Sequence, residues 1–156
     1  VDKRNPVFLY GPSRSGKTTL LQIIEDYFSR IKGVRVLRLD ADDLAIELVN
    51  SIKNSGDRKG FYHKFLDYDA LLVDNIWVLR GKLRTIEEIF RFFKLFIEKG
   101  KFLVMTWDIE PETLSPESKT IKRVHQRSIA FRMKPYNPQK FTGSHANFPP
   151  PFTENN

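Results

Sequence analysis

Residues 11–18, GPSRSGKT, fit the pattern G-x-x-x-x-G-K-[ST] at every constrained position. The chemistry this arrangement serves is the capture of a polyphosphate. Gly11 and Gly16 allow a tight turn and let the backbone approach phosphate oxygens with no Cβ in the way. Successive amides around Arg14, Ser15, Gly16 and Lys17 can then converge on one anion. A helix that starts there adds its positive end. Lys17 would reach the β- and γ-phosphates, and the Thr18 hydroxyl would be a magnesium ligand. Gly11, Arg14, Ser15, Gly16, Lys17, Thr18 and Thr19 are therefore the expected nucleotide-binding residues. A Gly/Ser-rich turn without function is the plain alternative. The apolar strand before the loop and the amphipathic helix after it weigh against that alternative.

A second group lies in LLVDNIW, residues 71–77, where an apolar run ends on Asp74. A carboxylate at the end of a later strand is what the magnesium side of such a site requires. Thr18 and Asp74 are thus the expected metal pair, with ATP or ADP and Mg2+ as ligands. Alone, Asp74 would fit a turn or helix cap equally well; the phosphate loop gives it weight. Next comes Asn75, where an ATP-hydrolysing enzyme usually places a second acid. An amide is a poor proton acceptor and orients an attacking water weakly.

The elements that must position these groups alternate along the chain. Apolar runs predict strands over residues 6–10, 34–40, 70–74, 102–106 and 128–134. Helical spacing predicts helices over 18–31, from Asp42 or Asp43 to about 53, and over 85–99. Gly33 can end the first helix and Gly100 stops the last, which Thr85 and Glu88 would open as a capping box. NSGDRKG, residues 54–60, reads as a polar, basic loop. Strands separated by helices give an α/β fold, a parallel sheet with helices on both faces and right-handed crossovers. Residues 1–136 form the expected nucleotide-binding domain, and 137–156, rich in proline, an extended tail.

The chain of 156 residues carries a net charge of +7 and a pI near 9.7, which favours anionic partners. It has no cysteine, so disulfides and thiolate metal sites are excluded. No apolar run approaches a membrane span and no apolar leader opens the sequence, so the expected home is cytoplasmic. The start, a few residues before a strand, suggests a domain cut from something longer. His63, His125 and His145 lack metal-ligand spacing. Trp77 and Trp107 flank the site strands and are expected to pack beneath the site. The run IFRFFKLFI, residues 89–97, is expected to be mostly core, and Phe148 and Phe152 lie among the tail prolines.

NPVFLYG before the phosphate loop, and above all residues 71–108, resemble the ATP-binding domain of bacterial replication initiators, the DnaA family of AAA+ proteins and its Hda-like relatives. Gly81-Lys82, Arg84-Thr85 and Glu87-Glu88 fall on that family's GK-x-RT-x-EE signature, and 101–108 resembles its sensor-1 strand, ending in T-x-D. The likeness covers roughly residues 5–135. It implies a P-loop NTPase of the AAA+ base-domain type, with a five-stranded parallel sheet and the sensor strand between the Walker A and Walker B strands. Asp108 or Thr106 would sit near the γ-phosphate, so Asp108 and Asn75 are the expected catalytic positions. The resemblance further implies ATP-promoted assembly on DNA, including single-stranded DNA, with self-association or other replication proteins and no membrane. Lys53, Arg58, Lys59 and Lys64 lie in the segment of the initiator-specific helix and are the expected DNA-binding residues; they also read as a solvated charged face.

Several departures stand against the family pattern. Asn75 replaces an acid, and Val124 falls near the arginine-finger position, with Arg123 and Arg127 beside it. Such a finger can contribute about 10³–10⁵ in rate. No segment matches the lid with its sensor-2 arginine, the helix-turn-helix domain, or the upstream part that helps hold adenine. The expectation is a module of replication initiation or its regulation that assembles with nucleotide and hydrolyses it weakly or not at all. The rival is a degenerate P-loop domain serving as a protein-interaction adaptor. A kinase of a small metabolite, which needs a lid with clustered arginines, ranks last.

Overall fold

Strand β3 (Ala70–Asp74) buries its first four residues completely or nearly so, the mark of a central strand covered on both faces. It lies inside a five-stranded sheet of order β2-β3-β4-β1-β5, with β1 Val7–Tyr10, β2 Val36–Asp40, β4 Phe102–Trp107 and β5 Ile129–Arg132. Every pairing is parallel. The coordinates form a computed structural model, in which residues 4–108 and 118–135 are described. The implied strand order is found: β4, the sensor strand, sits between β1 and β3. The register sets Leu9 beside Thr106 and Asp40 beside Asp74, so the functional ends of the strands share one edge.

Strand alternation sorts the core into two layers. Phe8, Leu71, Val73, Leu103 and Met105 face the larger cluster with helices α2 (Ala41–Ser55), α3 (Lys59–Leu66), α4 (Leu83–Glu98) and α5 (Lys119–Arg127). Leu9, Leu72 and Val104 face the other way, against Leu21 of α1 (Lys17–Ser29). The aromatic run does become core: Phe90, Phe92, Phe93 and Phe96 of α4 are fully buried. Phe92 packs edge-on with Phe61 at 5.0 Å and tilted against Phe96 at 5.7 Å between centroids. Burying each such ring contributes about 1.5–3 kcal/mol.

Several local expectations are corrected. Helix α2 is capped by Asp40 rather than Asp42 or Asp43: Asp40 Oδ1 accepts from the Asp42 amide at 2.9 Å, so helix follows strand without a turn. Helix α4 starts at Leu83, two residues before Thr85, and Thr85 does not cap it. Glu88 is drawn instead to Arg58 and Arg91. The loop expected over 54–60 is shorter, because Gly56 closes α2 at φ 71° and Asp57 Oδ1 accepts from the Lys59 amide to open α3. Helix α5 has no counterpart in the sequence reading; Ser118 Oγ caps it through the Ile121 amide at 3.3 Å. The first helix ends at Ser29, before Gly33. The proline-rich segment 137–156, with His145, Phe148 and Phe152, lies outside the described residues. Among the described residues no helix is long and apolar enough to cross a membrane.

Candidate nucleotide site

The loop between β1 and α1 is fixed from below by the sheet. The Gly11 amide donates to Trp107 O at 3.0 Å, and the Met133 amide donates to Tyr10 O at 2.7 Å. A Cβ on Gly11 would stand 2.3 Å from Met133 O, so the β5 end excludes any side chain at this position. Arg14 takes φ 62° and Gly16 φ 88°, the left-handed turns that curl the loop back toward the helix start. For Arg14, which has a Cβ, this conformation costs about 1 kcal/mol or more. The loop encloses a cleft of about 410 Å³.

Lys17 is buried at 7% exposure, with its ammonium inside this loop. Nζ donates to Gly11 O at 2.6 Å and Pro12 O at 2.8 Å, lies 3.4 Å from Ser15 Oγ, and pairs with Asp108 Oδ1 at 3.4 Å. The charge is thus satisfied by the loop's own carbonyls and by the residue after β4. An arriving phosphate must take the ammonium over from these acceptors. Thr18 Oγ1 donates to Asp74 Oδ2 at 2.7 Å, joining positions 56 residues apart. The phosphate loop therefore faces the carboxylate of β3.

The other expected residues gather in the same place. Arg14, Gly16, Lys17, Thr18, Thr19, Asp74, Asn75 and Asp108 line the cleft, and Gly11 and Ser15 support it through Lys17. Asn75 turns sharply at φ 59°, and its amide donates to Thr106 Oγ1 at 2.8 Å. Thr106 Oγ1 in turn donates to Asp74 Oδ1. One lining residue, Asp40, escaped the sequence reading as a site group, whereas Thr106 was expected near the γ-phosphate. Asp40 arrives through its register with Asp74, and Thr106 holds Asp74 rather than an open position beside a phosphate. The only sequence signal for Asp40 was its place at the end of a predicted strand.

Magnesium fits this donor set. The groups are all oxygens, one hydroxyl and one carboxylate in contact, and Mg2+ commonly keeps waters and shares such ligands with phosphates. Among the described residues no group of three or more His, Cys, Asp or Glu could hold a metal unaided, so the phosphates would complete the shell.

The expected DNA-binding residues lie apart from the cleft, on the α2–α3 side. Arg58 Nη2 donates to Glu88 Oε1 at 2.8 Å; its Nε is 2.5 Å from Oε2 but off the hydrogen-bonding direction. Lys64 pairs with Glu47 at 2.8 Å. Lys53 and Lys59 are exposed, with no ion pair among the described residues. Val124 is buried in the main cluster, while its neighbours Arg123 and Arg127 are exposed on α5. Trp107 is fully buried against Phe8 at 5.8 Å, and Trp77 is half-buried under the Arg80 guanidinium at 4.9 Å.

Comparison with known proteins points the same way as the cleft. The family described as the bacterial DnaA ATPase domain matches residues 1–130. The chromosomal replication initiator protein DnaA of Clavibacter sepedonicus is 37% identical over 112 residues, 71% of this chain and 23% of that protein. Domain III of the Thermotoga maritima replication initiation protein DnaA superposes with a TM-score of 0.78 at 30% identity, covering 87% of this chain and 57% of that one. A replication initiator DnaA bound to AMPPCP and single-stranded DNA superposes at 0.72 with 31% identity, covering 83% and 40%. The chain spans about a quarter of the length of the curated relatives it matches.

Proposed function

The chain belongs to the bacterial DnaA ATPase-domain family, and from that premise we propose that it binds ATP or ADP with Mg2+ and works in chromosomal replication initiation or its regulation, in the cytoplasm. The observation that carries this reading is the Thr18–Asp74 hydrogen bond, 2.7 Å, at the mouth of a complete phosphate loop. A hydroxyl and a carboxylate already in contact are preorganised to share one hard cation. Lys17 lines the same cleft, and the α1 N-terminus adds its partial positive charge. A related initiator, bound to AMPPCP and single-stranded DNA, supports the ligand classes.

The module acts by nucleotide-dependent assembly, with weak or no hydrolysis. Asn75 lines the cleft where a proton acceptor would be needed, and the buried Val124 cannot reach a neighbour's phosphate as an arginine finger does. Exposed Lys53 and Lys59, with Arg58 and Lys64 beside them, form the surface for DNA phosphates. Titration calorimetry with ATP and ADP in Mg2+ tests the binding. Absence of heat at millimolar nucleotide overturns it.

One observation favours a second reading, a protein-interaction adaptor. An apolar groove of about 800 Å³ runs beside α1, with Tyr27 65% and Phe131 54% exposed. Apolar surface of this kind marks contact sites. Concentration-dependent self-association that Phe131→Glu abolishes would support this reading. Sedimentation as a monomer at all concentrations would count against it.

A further inference from the structure

Thr106 is fully buried at the end of β4, and its hydroxyl is a junction between two site residues. It donates to Asp74 Oδ1 and accepts from the Asn75 amide at 2.8 Å. The other oxygen of Asp74 accepts from Thr18 at 2.7 Å. The carboxylate is therefore clamped on both sides, by a hydroxyl from α1 and one from β4. A hydroxyl has a single hydrogen to give. Thr106 has committed that hydrogen to Asp74, so it has none for a phosphate oxygen. The same hydroxyl ties down the backbone at Asn75, where the chain leaves the sheet at φ 59°.

We propose that Thr106 is a positioning residue for magnesium: it fixes the rotamer of Asp74 and the turn at Asn75, and does not itself contact the nucleotide. The inference rests on reading the cleft as a magnesium–nucleotide site. Its logic is that of outer partners which orient a ligating carboxylate, and whose loss costs about 10–100-fold in metal affinity. A free carboxylate would have to be ordered when the metal arrives; here the sheet has ordered it beforehand. The β-branched side chain adds to this, since its χ1 is restricted in a strand.

ATP titrations with Mg2+ and with EDTA, on the wild type, T106V and T106S, test the proposal. The wild type should bind more tightly with Mg2+. T106V, isosteric but without the hydroxyl, should lose about 10–100-fold of that gain while its affinity in EDTA is unchanged. T106S should behave as the wild type. If T106V keeps the full Mg2+ gain, the proposal fails while the nucleotide reading stands. If the wild type binds no ATP in either buffer, the nucleotide reading falls and this inference with it. Circular dichroism checks that T106V folds. Should it not, amide exchange on the wild type still decides: the Asn75 amide must be protected, and exchange at an open-loop rate overturns the proposal.

Discussion

The Lys17 ammonium stands 3.4 Å from Asp108 Oδ1 in the cleft where it also bonds the carbonyls of Gly11 and Pro12. A γ-phosphate must compete with that carboxylate for the same cation and also meets its negative charge. Asp108 is a third exposed, so solvent screens the pair and its contribution is modest. D108N should therefore bind ATP up to about fivefold more tightly, with a smaller change for ADP. Competition binding with both nucleotides reads this directly. Weaker ATP binding by D108N would mean that Asp108 contributes something other than a hold on Lys17.

Asn75 offers a test of the proposed hydrolytic block. Its left-handed turn, φ 59°, suits Asn and Asp alike, and its bond to Thr106 uses the backbone amide. N75D should keep the turn, with stability within about 1 kcal/mol of the wild type. If the missing proton acceptor limits the reaction, single-turnover phosphate release should rise by about 10²–10⁴-fold. Unchanged release would place the proposed block elsewhere, such as the finger position near Val124.

What the sequence revealed and what it hid follow from the range of each interaction. The phosphate loop and β3 were legible because their determinants are local: fixed glycines in one case, a continuous apolar run in the other. Helix α4 was legible because its buried residues recur at helical spacing over four turns. Helices α3 and α5 were not, since each is short and presents only two buried residues, Phe61 with Phe65 and Ile121 with Val124. Such helices depend on tertiary packing for stability rather than on propensity. Asp40 joins the site, and the expected site residue Thr106 meets Asp74, through strand register, which no local pattern encodes. The engagement of Arg58 by Glu88, 30 positions away, was hidden for the same reason.

The basic residues of α2 and α3 should not contribute equally to DNA binding. Lys53 and Lys59 are exposed and without an ion pair among the described residues, whereas Lys64 is engaged by Glu47 at 2.8 Å. Each cation that neutralises a phosphate of single-stranded DNA adds about −0.7 to the slope of log K against log salt. K53Q and K59Q should each make that slope shallower by about 0.7, and K64Q by less. Fluorescence anisotropy over a salt series measures it. A slope indifferent to all three changes would remove this face from any DNA-binding account.

Tyr62 sets an alkaline limit on stability. It is half-buried on α3, 5.3 Å from Phe92 between ring centroids. Burial raises its phenol above the ordinary 10.0, with the Glu88 carboxylate adding to the rise and Arg58 and Arg91 opposing it. The folded state therefore holds this proton more tightly than the unfolded chain does. The resulting stability is fully present below about pH 10 and is lost as pH climbs through the raised folded value. Lysines titrate in the same range, so the comparison must be with Y62F, which removes the ionisable group and keeps the ring. Between about pH 9.5 and 11, urea midpoints of Y62F should fall less steeply than those of the wild type. In a companion variant, E88Q, tyrosinate absorbance should develop at lower pH, because one cause of the upward shift is gone while both arginines stay. Parallel midpoint curves for Y62F and the wild type would show that the Tyr62 proton carries no share of the folding free energy.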